Sequence, residues 1–401
     1  MKNVPFVKQI GAVAIIAGTA VGAGMLGIPF AVAAVGFKYA VILLFVVWAI
    51  MFATAMLFVE ASSSQPIGTD LDSISHNILG KFGRLLNLIF YILLLYSLIT
   101  AYIFMGGHLF QTYIFSFFGI TSTAASAIIF CAIFGSVIYM GIRTVFRVNE
   151  IFLSLKIIAF VMFIVFVAPH IQESLLTEQG EGFQYAWFAI PILVTSFGFH
   201  IVIPSIRNYF DNDVIFKRTV AIGAVAPLIV YLVWIFATLG TISLYGADGF
   251  ININLSQATL AEGYASLGYR TPLVFIKMFE NFAIITSFLG VALSLYSFNR
   301  DFTGFNVTKR LGKLSVLAIT LVPPLIFAMY LVNSFISALG YASIFIAVLL
   351  IIQPALMVWV VRKKESRNTL FSKLYLTAII FSGVVIIALQ FLVAFGKLSH
   401  I

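Results

Sequence analysis

The sequence contains few charged residues. Its 401 residues include 23 Lys or Arg and 14 Asp or Glu, together 9% of the chain, whereas 62% is hydrophobic. A soluble globular protein usually has about a quarter of its residues charged and about half apolar. So few charged side chains cannot cover a surface in contact with water. The composition therefore excludes a soluble globular protein and indicates a polytopic membrane protein in a lipid bilayer.

Cysteine is nearly absent, and the single Cys131 lies in an apolar run. One cysteine excludes an intrachain disulfide and a cysteine-based metal site. The first apolar stretch follows Lys2 and Lys8 and resembles a signal peptide in that respect. Many similar stretches follow it, however, and no clear small-residue cleavage site ends it. We therefore expect it to remain as a first span.

Apolar stretches long enough to cross a bilayer recur along the chain. A hydrocarbon core of about 30 Å requires roughly 20 mostly apolar residues in a helix. Eleven stretches meet this length, and we number them spans 1 to 11. They cover about 9–37, 39–62, 86–117, 123–141, 149–168, 187–207, 219–245, 272–299, 314–332, 335–361 and 370–396. Spans 3 and 4 come from one charge-free run, which we divide at residues 118–122.

The positive charges assign an orientation, because Lys and Arg are enriched in short cytoplasmic loops. With the amino terminus in the cytoplasm, 18 Lys or Arg fall on that side and only Lys38, Arg270 and Lys397 on the other. Eleven spans then place the carboxyl terminus outside. The net charge of +9 thus reports topology, since a nucleic-acid surface would need basic residues clustered on a water-exposed face. The longest outer loop contains residues 257–267, which can form a short helix over the outer mouth.

Two spans are interrupted by glycine and proline. Span 1 contains Ala17-Gly-Thr-Ala-Val-Gly-Ala-Gly-Met-Leu-Gly-Ile-Pro29, although Gly costs about 1 kcal/mol and Pro about 3 kcal/mol relative to Ala inside a helix. Span 6 repeats this pattern with Pro191, Thr195-Ser-Phe-Gly-Phe-His200 and Pro204. Such a pair at matching positions in two five-span halves is typical of transporters with inverted repeats and a midplane binding site. We expect repeats at about 9–168 and 187–361, with an extra helix at about 370–396.

An alternative is that these small residues only let helices pack closely, as the small-xxx-small pattern Gly18-Thr-Ala-Val-Gly22 does in other membrane proteins. The pairing of spans 1 and 6 favours a binding role, because unwound backbone at membrane depth is tolerated only where protein or water satisfies it. A half-helix that begins near Gly24 would offer amides and a positive dipole end to a carboxylate. Carbonyls near Ala17–Ala20 and Thr195–Phe197 would accept from an ammonium group. Neither break contains Asp, Glu, Lys or Arg, so the pattern fits an amino acid zwitterion.

These segments resemble a known family. The stretches Ala17–Leu26, Thr195–His200 with Pro204-Ser-Ile206, Thr286–Leu293 and, more weakly, Leu339–Ala342 are similar to those of the bacterial aromatic amino acid permeases. These tyrosine- and tryptophan-specific transporters form the hydroxy/aromatic amino acid permease family of the amino acid, polyamine and organocation superfamily. The resemblance implies an all-α, LeuT-like fold with a five-plus-five inverted repeat and eleven spans. It also implies proton-coupled uptake of an aromatic amino acid across the bacterial inner membrane, with tyrosine-type members the most similar.

The resemblance and the helix breaks together give a set of candidate substrate-binding residues. In this fold span 3 faces the substrate. Tyr96, Thr100 and Tyr102 lie near the middle of span 3. Together with Phe197 and Phe199 they could pack around an aromatic ring. The set for substrate binding is Gly18, Thr19, Ala20, Gly22, Ala23, Gly24, Tyr96, Thr100, Thr195, Ser196, Phe197, Gly198 and Phe199.

Lys156 is a charged residue inside span 5, about seven residues from its predicted start and so roughly 10 Å deep. Proton-coupled relatives in the superfamily have a span-5 lysine where sodium-coupled relatives bind an ion. The resemblance thus implies that Lys156 is the proton-linked group and contacts carbonyls near Gly18 and the hydroxyls of Thr286 or Ser287. The alternative is a lysine that snorkels to the cytoplasmic headgroups.

Four other polar residues have simpler explanations. Lys277 and Glu280 lie one helical turn apart in span 8 and can pair, although Glu280 could instead lie on the proton path. His200, beside the break in span 6, is expected to be hydrogen-bonded in place. Glu60 is expected to pair with basic loop residues at the cytoplasmic face.

The sequence thus predicts a transporter rather than an enzyme, with no cofactor and no metal, and with a monomer as a plausible state. Its predicted partners are an aromatic amino acid, the proton and the bilayer. A channel would need a ring of selectivity groups along a pore. A membrane enzyme would need catalytic residues that converge on one site. The sequence shows neither pattern. A sodium-coupled or exchange-type transporter of other neutral amino acids stays open as the alternative.

Overall fold

The computed structural model describes residues 6–113, 119, 122–246, 248–255, 259–331 and 334–396. Within them are ten helices long and apolar enough to cross a membrane, and a bent helix pair in span 1 raises the number to eleven. The predicted number of spans is therefore confirmed. Most of the predicted turn at 118–122 lies outside the described residues, as do Lys2, Lys397 and residues 257 and 258.

The helix bounds follow the apolar stretches closely. Span 1 comprises Phe6–Ala20 and a second part from Ala23 to Val35, and span 6 comprises Ala186–Ser196 and a second part from His200 to Arg207. The remaining spans, in chain order, are Phe37–Ser63, Leu71–Tyr113, Thr123–Met140, Ile142–Val167, Asp213–Leu239, Arg270–Thr303, Arg310–Tyr330, Phe335–Lys364 and Leu370–Ala394.

Two helices begin at least seven residues earlier than their predicted apolar stretches. Span 3 starts at Leu71 rather than near 86 and bends at Gly80, whose φ of 71° lies in the left-handed region that favours glycine. Span 5 starts at Ile142 rather than near 149. Hydropathy identifies only the part of a helix that suits hydrocarbon, whereas the backbone hydrogen bonds continue through Arg143 and Arg147.

The chain forms two compact units. The first consists of Met1–Tyr91, Leu176–Phe236 and Ser343–Ile401, and contains spans 1, 2, 6, 7 and 11 with most of span 10. The second consists of Ile92–Leu175 and Ala237–Ala342, and contains spans 4, 5, 8 and 9 with most of span 3. The two broken helices therefore lie in the same unit.

Within the first unit, span 2 packs along the end of span 10, and the second part of span 1 packs against span 6. An ion pair fixes the first of these contacts, because Arg362 donates to both carboxylate oxygens of Glu60 at 2.9 and 2.6 Å. Arg367 lies 3.5 Å from the same carboxylate. The predicted pairing of Glu60 with basic loop residues is thus confirmed.

Within the second unit, spans 5 and 8 run antiparallel along an extensive contact. The ring centroids of Phe152 and Phe282 lie 5.5 Å apart, and those of Phe160 and Phe279 lie 5.4 Å apart. Span 3 approaches span 4 closely, since a Cβ at Gly107 would lie 2.9 Å from the backbone of Ala127.

Candidate functional site

The break in span 1 falls within the predicted glycine-rich segment. The first helix ends at Ala20, and Gly22 is extended, with φ of −117° and ψ of −157°. A short helix then begins at Ala23, and the two parts of the span are bent by 46°. Proline at the start of the next helical segment, Ile28–Val32, needs no N–H there. The sequence therefore predicted both the existence and the place of this break.

The break in span 6 also falls where predicted. The helix from Ala186 to Ser196 ends, and Phe197 with φ of −90° and ψ of 16° leaves the helical path. Helical structure resumes at His200, and Pro204 lies in the first turn of the final segment, Ile203–Arg207.

A tyrosine of span 7 joins the two breaks. The hydroxyl of Tyr231 lies 2.6 Å from the carbonyl oxygen of Ala20 and 2.7 Å from that of Ser196, and donates its hydrogen between them. The Ser196 hydroxyl in turn lies 3.2 Å from the carbonyl oxygen of Gly24. One turn beyond Tyr231, the indole N–H of Trp234 donates to the carbonyl of Met25 at 2.9 Å. Spans 1, 6 and 7 thus form one hydrogen-bonded site.

Tyr231 and Trp234 were not predicted from the sequence. Both are completely buried, and a buried tyrosine hydroxyl or tryptophan N–H usually has a hydrogen-bond partner. Their spacing of three residues on an otherwise apolar span indicates two polar groups on one helix face, but not where their acceptors lie.

These hydrogen bonds use some of the carbonyl oxygens that the two helix breaks leave without intrahelical donors. The carbonyl of Thr195 accepts from the N–H of Gly198 at 3.3 Å, and those of Ala20 and Ser196 accept from Tyr231. Each carbonyl oxygen has a second lone pair. The second part of span 1 begins at Ala23, and the first turn of a helix directs its N–H groups towards the amino-terminal end. Binding of a zwitterion at these groups stays a prediction.

Close packing does not account for the glycines that flank the break. A Cβ at Gly18 would meet no atom of the described chain within 4 Å. A Cβ at Gly24 would lie 3.4 Å from the hydroxyl of Ser196, an ordinary contact. Neither position is sterically reserved for glycine by a neighbouring helix, which weakens the packing alternative and leaves open space beside Gly18. Thr19, in the same turn, donates to Ile15 O at 2.7 Å.

His200 is held by span 2, as expected for a histidine fixed in place. Its Nε2 lies 2.9 Å from the hydroxyl of Thr54, which also lies 3.0 Å from the carbonyl of Met51. Because the Thr54 hydrogen goes to that carbonyl, Nε2–H of His200 is the donor to Thr54.

The candidate ring-binding side chains lie in both units. Phe197 and Phe199 are completely buried in the first unit, and the Phe197 ring meets Tyr231 edge-on at 4.9 Å. In the second unit, Tyr96 donates to the carbonyl of Ile319 at 2.8 Å. Thr100 donates to the Tyr96 carbonyl at 2.8 Å, and Tyr102 bonds to the side chain of Ser287. Contact of these residues with a substrate stays a prediction.

Lys156 lies deeper in its helix than predicted. It is fourteen residues beyond Ile142, about 21 Å at 1.5 Å per residue, rather than seven residues into the span. Phe152 and Phe160, one turn to either side of it, contact span 8, so Lys156 lies on the face that packs there. Its side chain is only 5% exposed. Enclosure by protein argues against a lysine that snorkels to the headgroups.

The residues predicted to lie near Lys156 have their own bonds. Thr286 is buried on span 8 and donates to the carbonyl of Phe282 at 2.8 Å. Ser287 bonds to Tyr102. Contact of Lys156 with these hydroxyls, or with carbonyls near Gly18, stays a prediction.

Glu280 interacts electrostatically with Lys277, one helical turn away on span 8. One carboxylate oxygen of Glu280 also accepts from the N–H of Ala261 at 3.3 Å. Ala261 lies in the first turn of the helix Leu260–Ser266, which confirms the predicted short helix in this loop. This contact joins residues 19 positions apart across a loop, so helical spacing alone could not predict it.

The profile of the tryptophan/tyrosine permease family matches residues 7–390. The chain belongs to this family. The permease is 31% identical to tyrosine-specific transport system 1 of Haemophilus influenzae over 98% of this chain and 99% of the relative. It is 32% identical to a tryptophan-specific transport protein of Pseudomonas aeruginosa over 88% and 87% of the two chains. It is also 29% identical to glutamine transporter 2 of Aliivibrio fischeri over 90% and 91%.

The fold of the permease is LeuT-like, as its family resemblance implied. The crystal structure of MhsT in complex with L-phenylalanine matches with a TM-score of 0.57, at 13% identity and over 96% of this chain and 98% of MhsT. At this identity the likeness concerns the fold alone. The permease is therefore a multi-span membrane protein of a family of transport proteins.

Proposed function

We propose that the permease imports an aromatic amino acid, most strongly tyrosine, together with protons across the bacterial inner membrane by alternating access. The observation that carries this proposal is the site in the first unit, where Tyr231 joins the two broken helices. Interrupted helices of this kind mark the substrate sites of secondary transporters. The amino terminus would lie in the cytoplasm and the carboxyl terminus in the periplasm.

The backbone of the two breaks would bind the charged ends of the substrate. The amides of Ala23 and Gly24 and the dipole of the following helix would hold the carboxylate. The remaining lone pairs of carbonyls in the two breaks would accept from the ammonium group. The open space beside Gly18 supports a ligand there. The backbone residues assigned to this role are Gly18, Thr19, Ala20, Gly22, Ala23, Gly24, Thr195, Ser196 and Gly198.

An aromatic ring would be bound by Tyr96, Thr100, Phe197 and Phe199. The aromatic substrate is supported by the names of relatives at 31% and 32% identity. Tyrosine is preferred over tryptophan because the tyrosine-specific relative aligns over nearly its whole length, and a second tyrosine-specific system of Haemophilus influenzae is also 31% identical over 98% of both chains. The glutamine transporter at 29% identity makes other neutral amino acids the alternative to test.

Lys156 would link transport to protons, with Thr286 and Ser287 as its neighbours on span 8. An ionisable group enclosed in the middle of a membrane helix is costly to keep and is usually functional. A lysine suits this role because its ammonium group can lose its proton when buried. A fixed ammonium group would also repel a sodium ion.

Uptake of labelled tyrosine into proteoliposomes that contain the full chain tests the proposal. An inward proton gradient should drive accumulation, a sodium gradient alone should not, and a protonophore should abolish the effect. Tryptophan, phenylalanine, leucine and glutamine are added as competitors, with protein-free vesicles as the control. Uptake driven only by sodium, or competed best by leucine or glutamine, would contradict the proposal.

A further inference from the structure

A second group of ionisable side chains lies in the second unit, whereas both helix breaks belong to the first unit. It consists of His108 near the end of span 3, Glu262 in the helix Leu260–Ser266, and Glu280 in span 8. We call these three residues the outer cluster, because the charge distribution places this end of the spans on the periplasmic side. The proposed substrate site uses none of them.

Glu280 is the buried member of the outer cluster, with 1% of its surface exposed. One of its oxygens accepts from the backbone of Ala261 and Leu260 at the start of the short helix. The other oxygen, Oε2, has no hydrogen-bond partner among the described residues. A buried carboxylate with one oxygen unpaired is costly, and addition of a proton removes the charge. The geometry thus provides a position for a proton on Oε2.

Glu262 and His108 are the more exposed members of the outer cluster, and Glu262 interacts electrostatically with Glu280. Their side chains are 32% and 26% exposed, and Glu262 Oε1 lies 3.8 Å from His108 Nε2, an ion-pair distance when the ring is protonated. Nε2 has no hydrogen-bond partner within the described part of the chain. Burial raises the pKa of Glu262, but His108 and the N–H of Thr259 outweigh it, so the net shift is below the ordinary value. Glu262 is therefore a carboxylate at neutral pH, with the imidazole ring of His108 beside it.

Two lysines lie on the spans that carry or pack against the helix of Glu280. Lys277 lies one turn away on the same span and interacts with Glu280 electrostatically. On span 5, Lys156 lies midway between the rings of Phe152 and Phe160, which contact Phe282 and Phe279 on span 8. This antiparallel register brings Lys156 to the level of Glu280 along span 8. A tyrosine of the short helix, Tyr264, is occupied by a contact of 2.6 Å with Thr241.

We propose that the outer cluster takes up the transported proton from the periplasmic solution and that Glu280 binds it on Oε2. The proton passes from hydronium through His108 and Glu262, each of which gains and then loses it, so that in total one O–H bond of hydronium breaks and one O–H bond forms on Glu280. Glu280 would then stay neutral while the substrate-loaded transporter goes through its cycle. Loss of the proton from Glu280 would complete that cycle. This inference rests on the proposed proton symport.

The test compares Glu280→Gln, a neutral mimic of the protonated group, with wild type in proteoliposomes. Three quantities are measured: tyrosine accumulation under an inward proton gradient, tyrosine-dependent acidification of the vesicle interior, and counterflow of labelled against unlabelled tyrosine at equal pH. A gradient of one pH unit supports roughly tenfold accumulation per coupled proton. Glu280→Gln should lose this accumulation and the acidification but keep counterflow. Glu173→Gln, at an exposed outer carboxylate, is the matched control and should behave as wild type.

A Glu280→Gln protein that accumulates tyrosine and acidifies the vesicles as wild type does would overturn the inference. If this variant is inactive in all three assays, Glu262→Gln decides, because glutamine can keep the helix cap while it removes the neighbouring negative charge. Half-maximal uptake by Glu262→Gln should then require a more acidic outer pH, and an unchanged or more alkaline midpoint would refute the role of the cluster. If tyrosine uptake by the wild-type protein does not depend on the proton gradient, the proposal of proton symport itself is refuted.

Discussion

The hydroxyl of Tyr231 contacts the carbonyl oxygens at both helix breaks. It is the donor from span 7 to Ala20 in span 1 and to Ser196 in span 6, and these three residues lie in the same unit. In addition, the aromatic ring packs edge-on against Phe197. A single side chain therefore holds two interrupted helices in register, and its hydroxyl can be removed without loss of the ring contact.

Tyr231→Phe should fold but transport slowly. Removal of the donor leaves two buried carbonyl oxygens without it, which should lower the free energy of unfolding by about 1–3 kcal/mol. Thermal unfolding in detergent and tyrosine uptake measure the two effects. Tyr209→Phe in the same unit is the control, since Tyr209 is 54% exposed and should tolerate the change. Wild-type uptake by Tyr231→Phe would show that the breaks do not depend on this hydroxyl.

Lys156→Gln should weaken the dependence of uptake on outer pH, because glutamine cannot gain or lose a proton and only the contribution of the outer cluster remains. Because Lys156 is buried, an effect of this substitution would reflect the loss of a group enclosed by protein and not the loss of a contact with lipid headgroups. Initial rates of tyrosine uptake across a series of outer pH values are the measurement. Lys81→Gln, at an exposed lysine, should keep the wild-type profile. Full pH-dependent uptake by Lys156→Gln would remove this residue from the mechanism.

The broken helices are elements whose interruption is encoded locally. In span 1 the helix ends at Ala20, and the extended Gly22 separates it from the next helical turn. In span 6 the interruption spans residues 197–199, between two prolines that lie outside it. Gly and Pro are poor helix formers wherever they occur, so the position of each break could be predicted from the sequence.

Gly18→Val should block transport while Gly11→Val should not. Both glycines lie in the helix Phe6–Ala20, and a Cβ at either meets no described atom within 4 Å. The two variants therefore carry the same helix-propensity cost, and only Gly18 adjoins the break. Expression, thermal stability and tyrosine uptake of the two variants are compared. Equal uptake by both would place the substrate elsewhere.

At the scale of the whole molecule, the distribution of charge predicts which end of each span faces the cytoplasm. Lys and Arg lie overwhelmingly in alternate loops, and the bidentate pair of Arg362 with Glu60 lies at the end assigned to the cytoplasm. The buried Cys131 is the single cysteine of the chain, so introduced cysteines can be labelled against a low background.

A membrane-impermeant maleimide added to intact cells should label Glu173→Cys but not Lys81→Cys. The first position belongs to a loop assigned to the periplasm and the second to one assigned to the cytoplasm, and both side chains are exposed. In permeabilised cells the maleimide should label both variants. The wild-type protein should be labelled neither in intact nor in permeabilised cells. Labelling in the reverse pattern would invert the orientation and with it the proposed direction of import.

The sequence by itself determined the number of spans, their approximate limits and the places where spans 1 and 6 are interrupted. These features depend on interactions that are local in the chain, because the bilayer sets the length of an apolar helix and the residue at each position sets its helical propensity. The tertiary structure decided which polar groups meet. Tyr231 reaches acceptors 211 and 35 residues away, and Glu280 accepts from the start of a loop helix 19 residues away.

The depth of Lys156 was also decided by tertiary structure, since hydropathy located the apolar stretch but not the start of the helix. Hydrogen bonds between distant segments leave no periodic signal in a sequence, because each of the two residues fits only the helical and hydropathy pattern of its own segment. Packing therefore had to bring these groups together before the outer cluster and the Tyr231 link could be recognised.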